Sequence, residues 1–208
     1  MKALGDSHTA YDIMREYMII GAELDGKYQI PMLDRYTGHP GEDTVDFKDS
    51  FSLKIKNHRK LTVNFYIHDY EFEKIWNNPD RYLEHLKCFH SVIGPDFSMS
   101  VGENGMPFAM NIYQKYRNHA LSHYLSMNGI KVIPNVSIPP EYCYDWAFDG
   151  VPKRSTVACC TNGRIKSRVS REEFCIGFKE MERRIEPLRV IVVGKIPPEL
   201  NTDVEIIN

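Results

Sequence analysis

Runs of apolar residues that lack polar alternation recur along the chain and predict buried β-strands. Residues 61–67 are β-branched and aromatic, and shorter apolar runs follow at 91–93, 131–136, 156–160 and 189–194. Residues 52–56 alternate between apolar and polar side chains, which predicts a half-exposed strand, and residues 204–207 predict an edge strand. Each main run ends at a turn or polar residue, so the strands are short and sharply bounded.

Helical spacing fills the intervals between these runs. The pattern predicts helices over residues 71–77, 78–89, 107–128 and 170–185, and a shorter helical turn near Trp146. Ser170 and Glu173 predict a capping box at the start of the last helix, and Gly129 is a natural stop for the longest one. Near the N-terminus, Asp6 and Ser7 predict the cap of a helix that runs through Ile20.

This alternation of strand and helix predicts the fold class. Strands without polar alternation, separated by helices, are typical of parallel sheets that are buried on both faces. We therefore predict a single α/β domain over residues 51–208, with a mostly parallel sheet of about five strands flanked by helices. The units are too few for a complete eight-fold barrel, so the sheet is either open or an incomplete barrel-like wrap. Residues 1–50 are predicted to form an N-terminal extension containing a helix, an extended segment and a turn-rich surface loop.

The predicted strand ends carry polar residues, and this suggests a site. In parallel α/β folds the working crevice lies beyond the carboxyl ends of the strands. These ends supply Asp69, Asp96, Asn135, the Thr161–Asn162–Gly163 turn and Gly194. Asp96 and Asp69 are catalytic candidates, as an acid and base or as a pair of ligands for Mg²⁺ with Asn135 as a third. The alternative for Asp69 is that it caps the helix that follows it.

Basic residues beside one of these turns suggest an anion site. Thr161, Asn162 and Gly163 precede Arg164 and Lys166, so turn amides and two cations could surround a phosphate. Arg117 on the longest helix is a further candidate for meeting the anion, although an exposed position is the commoner explanation for such a residue. The spacing of a P-loop and the G-x-G-x-x-G of a dinucleotide site are both absent from the sequence. The alternative is a plain turn followed by a solvated basic loop.

Histidines and cysteines add little chemistry to this picture. His119 and His123 stand four residues apart, but the H-E-x-x-H context of a zinc site is missing, so we expect one surface and one packing histidine. The five cysteines are odd in number and include no C-x-x-C, which favours reduced thiols and a cytoplasmic location. No run approaches the roughly 18–20 apolar residues that span a membrane, so we expect no membrane partner.

The charge balance narrows the class of partner. The chain has 26 basic and 28 acidic residues, which argues against a protein that binds nucleic acid over its whole surface. Residues 153–171 are locally different, because they contain six basic residues and no acid. This basic segment predicts either a local contact with an anionic partner or a solvated loop.

Several motifs resemble one known family. The run from Phe65 to Pro79, then Pro95–Ser98, Tyr116–Asn118, residues 129–136, 148–152 and 161–163 resemble, in order, the bacterial and phage family known as domain of unknown function 4417. The resemblance covers about residues 28–195 and implies a prokaryotic or phage origin, a mobile-element context and a bacterial host cytoplasm. His68 stands where the family pattern has an acidic residue. The resemblance implies no activity, so no catalytic residue follows from it.

Two functional hypotheses result. The first is an enzyme-like domain that binds a phosphorylated or nucleotide-type ligand at the strand ends, with or without a divalent metal such as Mg²⁺. The second is a non-enzymatic phage or mobile-element protein that contacts nucleic acid or a host protein through the basic 153–171 segment. The sequence decides neither the reaction nor the oligomeric state.

Overall fold

A computed structural model describes residues 15–208. Nine strands and five α-helices lie within this range. The strands are β1 (Leu24–Asp25), β2 (Ile30–Pro31), β3 (Asp43–Asp46), β4 (Leu61–Asn64), β5 (Ser91–Ile93), β6 (Val132–Ile133), β7 (Thr156–Cys160), β8 (Arg189–Val193) and β9 (Glu205–Ile207). The helices are α1 (Asp69–Asn77), α2 (Asp80–Leu86), α3 (Phe108–Met127), α4 (Tyr144–Ala147) and α5 (Arg168–Ile185). In this part of the chain no helix is both long enough and apolar enough to cross a bilayer.

Seven of the strands follow one another in chain order, and all of their pairings are parallel. Strands β3 to β6 form one sheet and β7 to β9 form a second. The two sheets are joined where the Val136 amide donates to the Ala158 carbonyl at 2.7 Å and the Ala158 amide donates to Pro134 at 2.8 Å. The α/β class and the parallel arrangement predicted from the sequence are confirmed, with seven parallel strands in place of about five.

Both faces of this wrap are buried, which explains why the strands have no water-facing positions. Most of the buried side chains are apolar, although the polar Thr62, Asn64, Ser91 and Thr156 are buried as well. On the inner face, Ile93, Ile133, Ala158 and Ile191 pack together with almost no exposure to solvent. On the outer face, the side chains of β4 and β5 pack against α1, α2 and α3, and those of β7 and β8 pack against α5. A strand with helices on one side and packed side chains on the other has no water-facing positions, so polar and apolar residues need not alternate along it.

The wrap does not close. A cavity of about 260 Å³ lies between residues 40–44 at β3 and residues 191–194 and 207–208 at β8 and β9. Within residues 15–208, no strand joins β3 to β9. The arrangement therefore agrees with the incomplete barrel-like wrap, and it places the carboxyl ends of the seven strands around a common rim.

Two predictions near the N-terminus are wrong. Residues 52–56 form turns, and Leu53 is fully exposed, because the chain leaves the sheet here between two short 3-10 helices. The first strand of the parallel sheets is instead β3, inside the segment predicted as a surface loop, where it pairs with β4 along four residues. Asp43–Asp46 belongs to the sheet; the wider division at residue 50 stays a prediction.

The first described residues pack against α3. The predicted cap at Asp6 and Ser7 lies outside the described residues, and residues Glu16–Ile19 form a 3-10 helix. Tyr17 and Met18 are buried in the core beside α3, and the extended segment carries Ile30 and Leu33 into buried positions. This N-terminal segment thus covers one face of the longest helix.

Candidate functional site

An open crevice of about 490 Å³ lies at the carboxyl ends of the parallel strands. Each of the strands from β4 to β7 delivers a polar side chain to it within a few residues of its last paired position. The crevice is lined by Lys48, Tyr66, His68, Glu71, Asp96, Ser98, Asn135, Cys160, Asn162 and Arg164, among others. Three of the predicted strand-end residues, Asp96, Asn135 and Asn162, therefore share one cavity, as the geometry of a parallel sheet requires.

A chain of hydrogen bonds fixes the central carboxyl group. The Asn135 side-chain amide donates to Asp96 Oδ1 at 2.8 Å and to the Pro95 carbonyl at 3.1 Å. The Tyr66 hydroxyl donates to Asn135 Oδ1 at 2.9 Å. Because a carbonyl only accepts, the contact with Pro95 fixes which end of the amide faces Asp96. Tyr66 and Asn135 thus position the Asp96 carboxyl at the floor of the crevice.

Burial makes the Asp96 carboxyl group a weaker acid than an ordinary aspartate. Desolvation raises the pKa of Asp96 to about 6, and the hydrogen bond from Asn135 and the charge of Arg164 oppose that rise. The nearby charge of Asp69 adds to it. A carboxyl group with this pKa exchanges protons near neutral pH, a range in which an ordinary aspartate is fully ionised. Raised carboxyl pKa values that arise in clefts are typical of functional sites.

The turn after β7 places Arg164 at the crevice wall. The Thr161 amide donates to the Val193 carbonyl at 3.1 Å, so this buried residue ties the turn to β8. Asn162 and Arg164 line the crevice, whereas Gly163 and Arg164 line a neighbouring cavity. Arg164 donates one hydrogen bond to the Ile138 carbonyl, which holds its guanidinium group across the boundary between the two cavities.

The outer rim carries opposite charges. Lys48 and Glu71 form an ion pair at 2.9 Å, which lowers the pKa of the Glu71 carboxyl. The His68 amide donates to Glu71 at 3.2 Å, so the glutamate also stabilises the first turn of α1. His68 itself is exposed at the rim. With Lys48 already paired, Arg164 is the cation whose charge is directed at the crevice.

Asp69 has a structural partner. Its carboxylate accepts the Ser98 amide at 3.1 Å and the Ser98 hydroxyl at 2.7 Å, which attaches the loop after β5 to the start of α1. It is the first residue of α1, and His68 occupies the cap position that the alternative had given to Asp69. It does not line the crevice.

These contacts do not fit a metal ion shared by Asp69 and Asp96. Asn135 presents its N–H groups to Asp96, and Asp69 uses both oxygens on Ser98. Among residues 15–208, no three His, Cys, Asp or Glu side chains converge as metal ligands do. We therefore derive no step through Mg²⁺.

Two other predicted ligand residues lie elsewhere. Arg117 is buried, forms an ion pair with Glu73 at 2.5 Å and stacks over the Phe97 ring at 3.6 Å, so neither the exposed nor the crevice position holds. Lys166 is exposed and does not line the crevice. The expectation of one surface histidine is wrong, since His119 and His123 are both buried in contact with the N-terminal segment.

Sequence reasoning missed three residues of the crevice. Tyr66 follows β4 by two residues, but it stands inside the run 61–67, which predicts an apolar strand. Lys48 follows β3, a strand that the turn-rich sequence around it does not predict. Cys160 ends β7 facing the crevice, where burial raises the pKa of its thiol to about 11, so it is an unreactive wall residue at neutral pH.

The basic 153–171 segment is divided by β7. Lys153 and Arg154 precede that strand and both contact Glu186. Arg168 and Arg171 follow it. Arg168 forms an ion pair with Glu172 on the same helix, and Arg171 forms one with Glu199 in the C-terminal segment. The six charges therefore lie at two ends of one strand, and most of them are paired, so they do not form one continuous basic surface.

Comparison with known proteins places the chain in a family. Residues 22–208 match the family model described as Domain of unknown function (DUF4417), and the chain belongs to that family. It is 33% identical over 134 residues to the Gene 1 protein of Mycobacterium phage L5 and 30% identical to that of Mycobacterium phage D29. These matches cover 64% of this chain but 57% and 48% of the two relatives, so the chain spans about half of their length. No solved structure gives a significant match.

Proposed function

We propose that the crevice binds a small phosphorylated ligand and that Asp96 exchanges a proton with it. The observation that carries the proposal is a desolvated carboxyl group with a pKa of about 6, fixed by Asn135 beside Arg164 in an open cavity. Cations and amide N–H groups are the protein groups that recognise phosphate oxygens. The crevice offers Arg164 at one wall and Asn162 beside it.

Proton exchange follows from the electrostatics of such a complex. A phosphate next to Asp96 is a like charge, and like charges favour the protonated carboxylic acid. Binding should therefore raise the pKa of Asp96 above 6 and be accompanied by uptake of a proton at neutral pH. Asp96 would then donate a hydrogen bond to the ligand, or act as a general acid if a reaction takes place.

Titration calorimetry tests this proposal with inorganic phosphate and adenosine 5′-monophosphate as probes. We expect binding by the full chain, with proton uptake detected as a dependence of the heat on the buffer's ionisation enthalpy. Arg164→Gln should weaken binding at least tenfold, whereas Arg168→Gln, which removes an equal charge outside the crevice, should leave it within about twofold. Absence of binding by every phosphate probe, or equal losses in the two variants, would overturn the proposal.

Asp96→Asn separates proton exchange from binding. The amide keeps the shape of the side chain and can still accept from Asn135, but it cannot titrate. We expect the proton uptake to disappear in this variant. Uptake that persists would assign the proton to another group and contradict the role of Asp96.

The second hypothesis, contact with nucleic acid or a host protein through residues 153–171, gains no support from a specific contact. Lys153, Arg154, Arg168 and Arg171 are engaged by acids of the same chain. Such paired charges release few counterions on binding, so strong salt-dependent affinity is not expected.

A further inference from the structure

The position of Arg164 gives more information about the ligand than its charge alone. Its side chain lines the crevice on one side and, on the other, a second cavity of about 440 Å³, which we call the groove. The groove runs along the start of α5 and the loop after β5. Its apolar lining includes Val101, Ile138, Pro139 and Phe174. Polar side chains, among them Ser170 and Glu173, also line the groove, so Arg164 stands between the polar crevice and a cavity of mixed lining.

The guanidinium group retains donors for a ligand at this junction. Of its five N–H donors, the structure uses one nitrogen on the Ile138 carbonyl. This contact orients the planar group across the boundary, where an anion could be approached from either cavity. Met99 also lines both cavities, so the crevice and the groove are neighbours that share two lining residues, Met99 and Arg164.

The charge of the crevice favours an anion with a single negative charge. Lys48 is neutralised by Glu71 at 2.9 Å, and Asp96 is a potential negative charge beside the ligand. Arg164 then supplies about one unpaired positive charge. A phosphate monoester carries about −1.5 to −2 at pH 7, whereas a phosphodiester carries −1 because it has no second proton to lose. The diester matches the available charge more closely.

We propose that the ligand is a phosphodiester whose phosphate lies against Arg164, with one substituent in the crevice and the other in the groove. A monoester has only one organic substituent and would leave one of the two cavities empty. The inference rests on the proposed function, because it assigns a class of ligand to the same crevice. It goes further in making Val101 and the groove part of the binding site.

Competition between two probes tests this inference. The dinucleoside monophosphate ApA contains one phosphodiester, and adenosine 5′-monophosphate contains one monoester. We expect ApA to bind the full chain at least tenfold more tightly in titration calorimetry at pH 7. Val101→Trp, which fills the groove, should remove this preference and leave the monoester's affinity unchanged. Val169→Trp, at an exposed valine outside both cavities, is the matched control.

Each outcome decides one of the two proposals. If both probes bind with Arg164 dependence but ApA has no advantage, or if Val101→Trp weakens both equally, the diester inference is wrong and phosphate binding stands. If neither probe binds, both proposals fall. Circular dichroism of Val101→Trp must match the wild type; if it does not, Val101→Gln, which makes the groove polar without filling it, replaces it with the same expected loss of preference.

A longer probe distinguishes the source of the diester. A free dinucleotide and the end of a nucleic-acid strand present the same phosphodiester chemistry. A single strand of twelve nucleotides has eleven phosphodiesters, so site statistics alone give it up to about an elevenfold gain over ApA. A gain within this limit identifies the free dinucleotide. A larger gain, with the same Val101→Trp loss, identifies a nucleic-acid strand.

Discussion

Two regions of this protein desolvate ionisable groups, and they do so in opposite surroundings. In the crevice, Asp96 borders open volume. In what we call the α3 cluster, Lys115 and His119 lie beneath the N-terminal segment and contact Ala147, Pro31 and each other. The Lys115 ammonium group donates to the Ala147 carbonyl at 2.9 Å and lies 3.2 Å from His119 Nε2. His119 Nδ1 is 2.9 Å from the Pro31 carbonyl.

The comparison teaches that a shifted pKa identifies a functional candidate only together with access. Burial lowers the pKa of Lys115 to about 7, and burial with the adjacent Lys115 holds the pKa of His119 well below its usual range. The shift of Lys115 is larger than that of Asp96, yet Lys115 and His119 connect α3 to the segments that cover it. The α3 cluster therefore has a structural role, since it holds the segments around Pro31 and Ala147 against α3. Asp96, in contrast, faces a cavity that a ligand can enter.

The largest expected difference between the two regions is the cost in stability of replacing a glycine of positive φ by alanine. Gly150, beside the α3 cluster, has φ +72°, and a Cβ there would lie 2.6 Å from the Pro31 carbonyl and 2.7 Å from His119 Nδ1. Gly163, at the groove beside the crevice, has φ +78° but open space around it. Gly150→Ala should cost about 3 kcal/mol of unfolding free energy, from strain and overpacking together, and Gly163→Ala only about 1 kcal/mol.

Urea unfolding measured by circular dichroism compares these two variants directly. They are matched controls for each other, since both place alanine at a left-handed backbone position. Equal losses of unfolding free energy in the two variants would mean that the segment around Pro31 moves to accommodate the new Cβ atom at Gly150. The α3 cluster would then not hold that segment rigidly.

The second expected effect concerns Asp96 and the pH dependence of stability. Its folded pKa of about 6 is raised above the ordinary 3.8, so the native state holds the proton more tightly than the unfolded state between these values. Stability associated with this group is fully present below pH 3.8 and is lost as the pH rises through 6. Asp96→Asn should therefore unfold with about 3 kcal/mol more free energy than wild type at pH 8, and with little gain at pH 3.8.

Denaturant titrations at the two pH values test this prediction. Asp203→Asn, at an exposed aspartate, is the matched control and should follow the wild type. A variant that gains stability while it loses proton uptake on binding is typical of a site where function opposes stability. If Asp96→Asn is instead destabilised at pH 8, the charge of Arg164 and the hydrogen bond from Asn135 outweigh desolvation, and the carboxyl group is ionised for structural reasons.

The extent to which the sequence predicted this molecule depends on which contacts are local. Runs such as 156–160 and 189–194 are recognisable as strands in the sequence, because strands covered on both faces contain no polar alternation. Strand β3 was missed because Asp43–Asp46 is a short edge strand with exposed acids, and such a pattern is typical of a loop. The parallel order alone was enough to bring Asp96, Asn135 and Asn162 to one rim.

Long-range pairing accounts for what sequence reasoning could not find. Arg117 seemed suited to solvent or to an anion, but its partner Glu73 is 44 positions away and its ring contact is with Phe97. The Ser98 contact that engages Asp69 also spans 29 positions. Burial of polar groups on α3 was also hidden, because the helix is covered by the N-terminal segment and its polar face therefore does not meet water.

The smallest expected effect concerns Lys115, and its sign is opposite to that of Asp96. The folded pKa of about 7 is depressed below 10.5, so the unfolded state binds more protons between these values and stability rises with pH across that window. Relative to Lys115→Met, the wild type should gain about 1 kcal/mol of unfolding free energy between pH 7 and pH 8. Lys54→Met, at an exposed lysine, should not change the slope. The charges of Asp149 and Asp25 already oppose the lowering of the Lys115 pKa. A wild-type protein that shows no such gain would therefore mean that water also reaches the amine, and the α3 cluster would then resemble the crevice in being open to solvent.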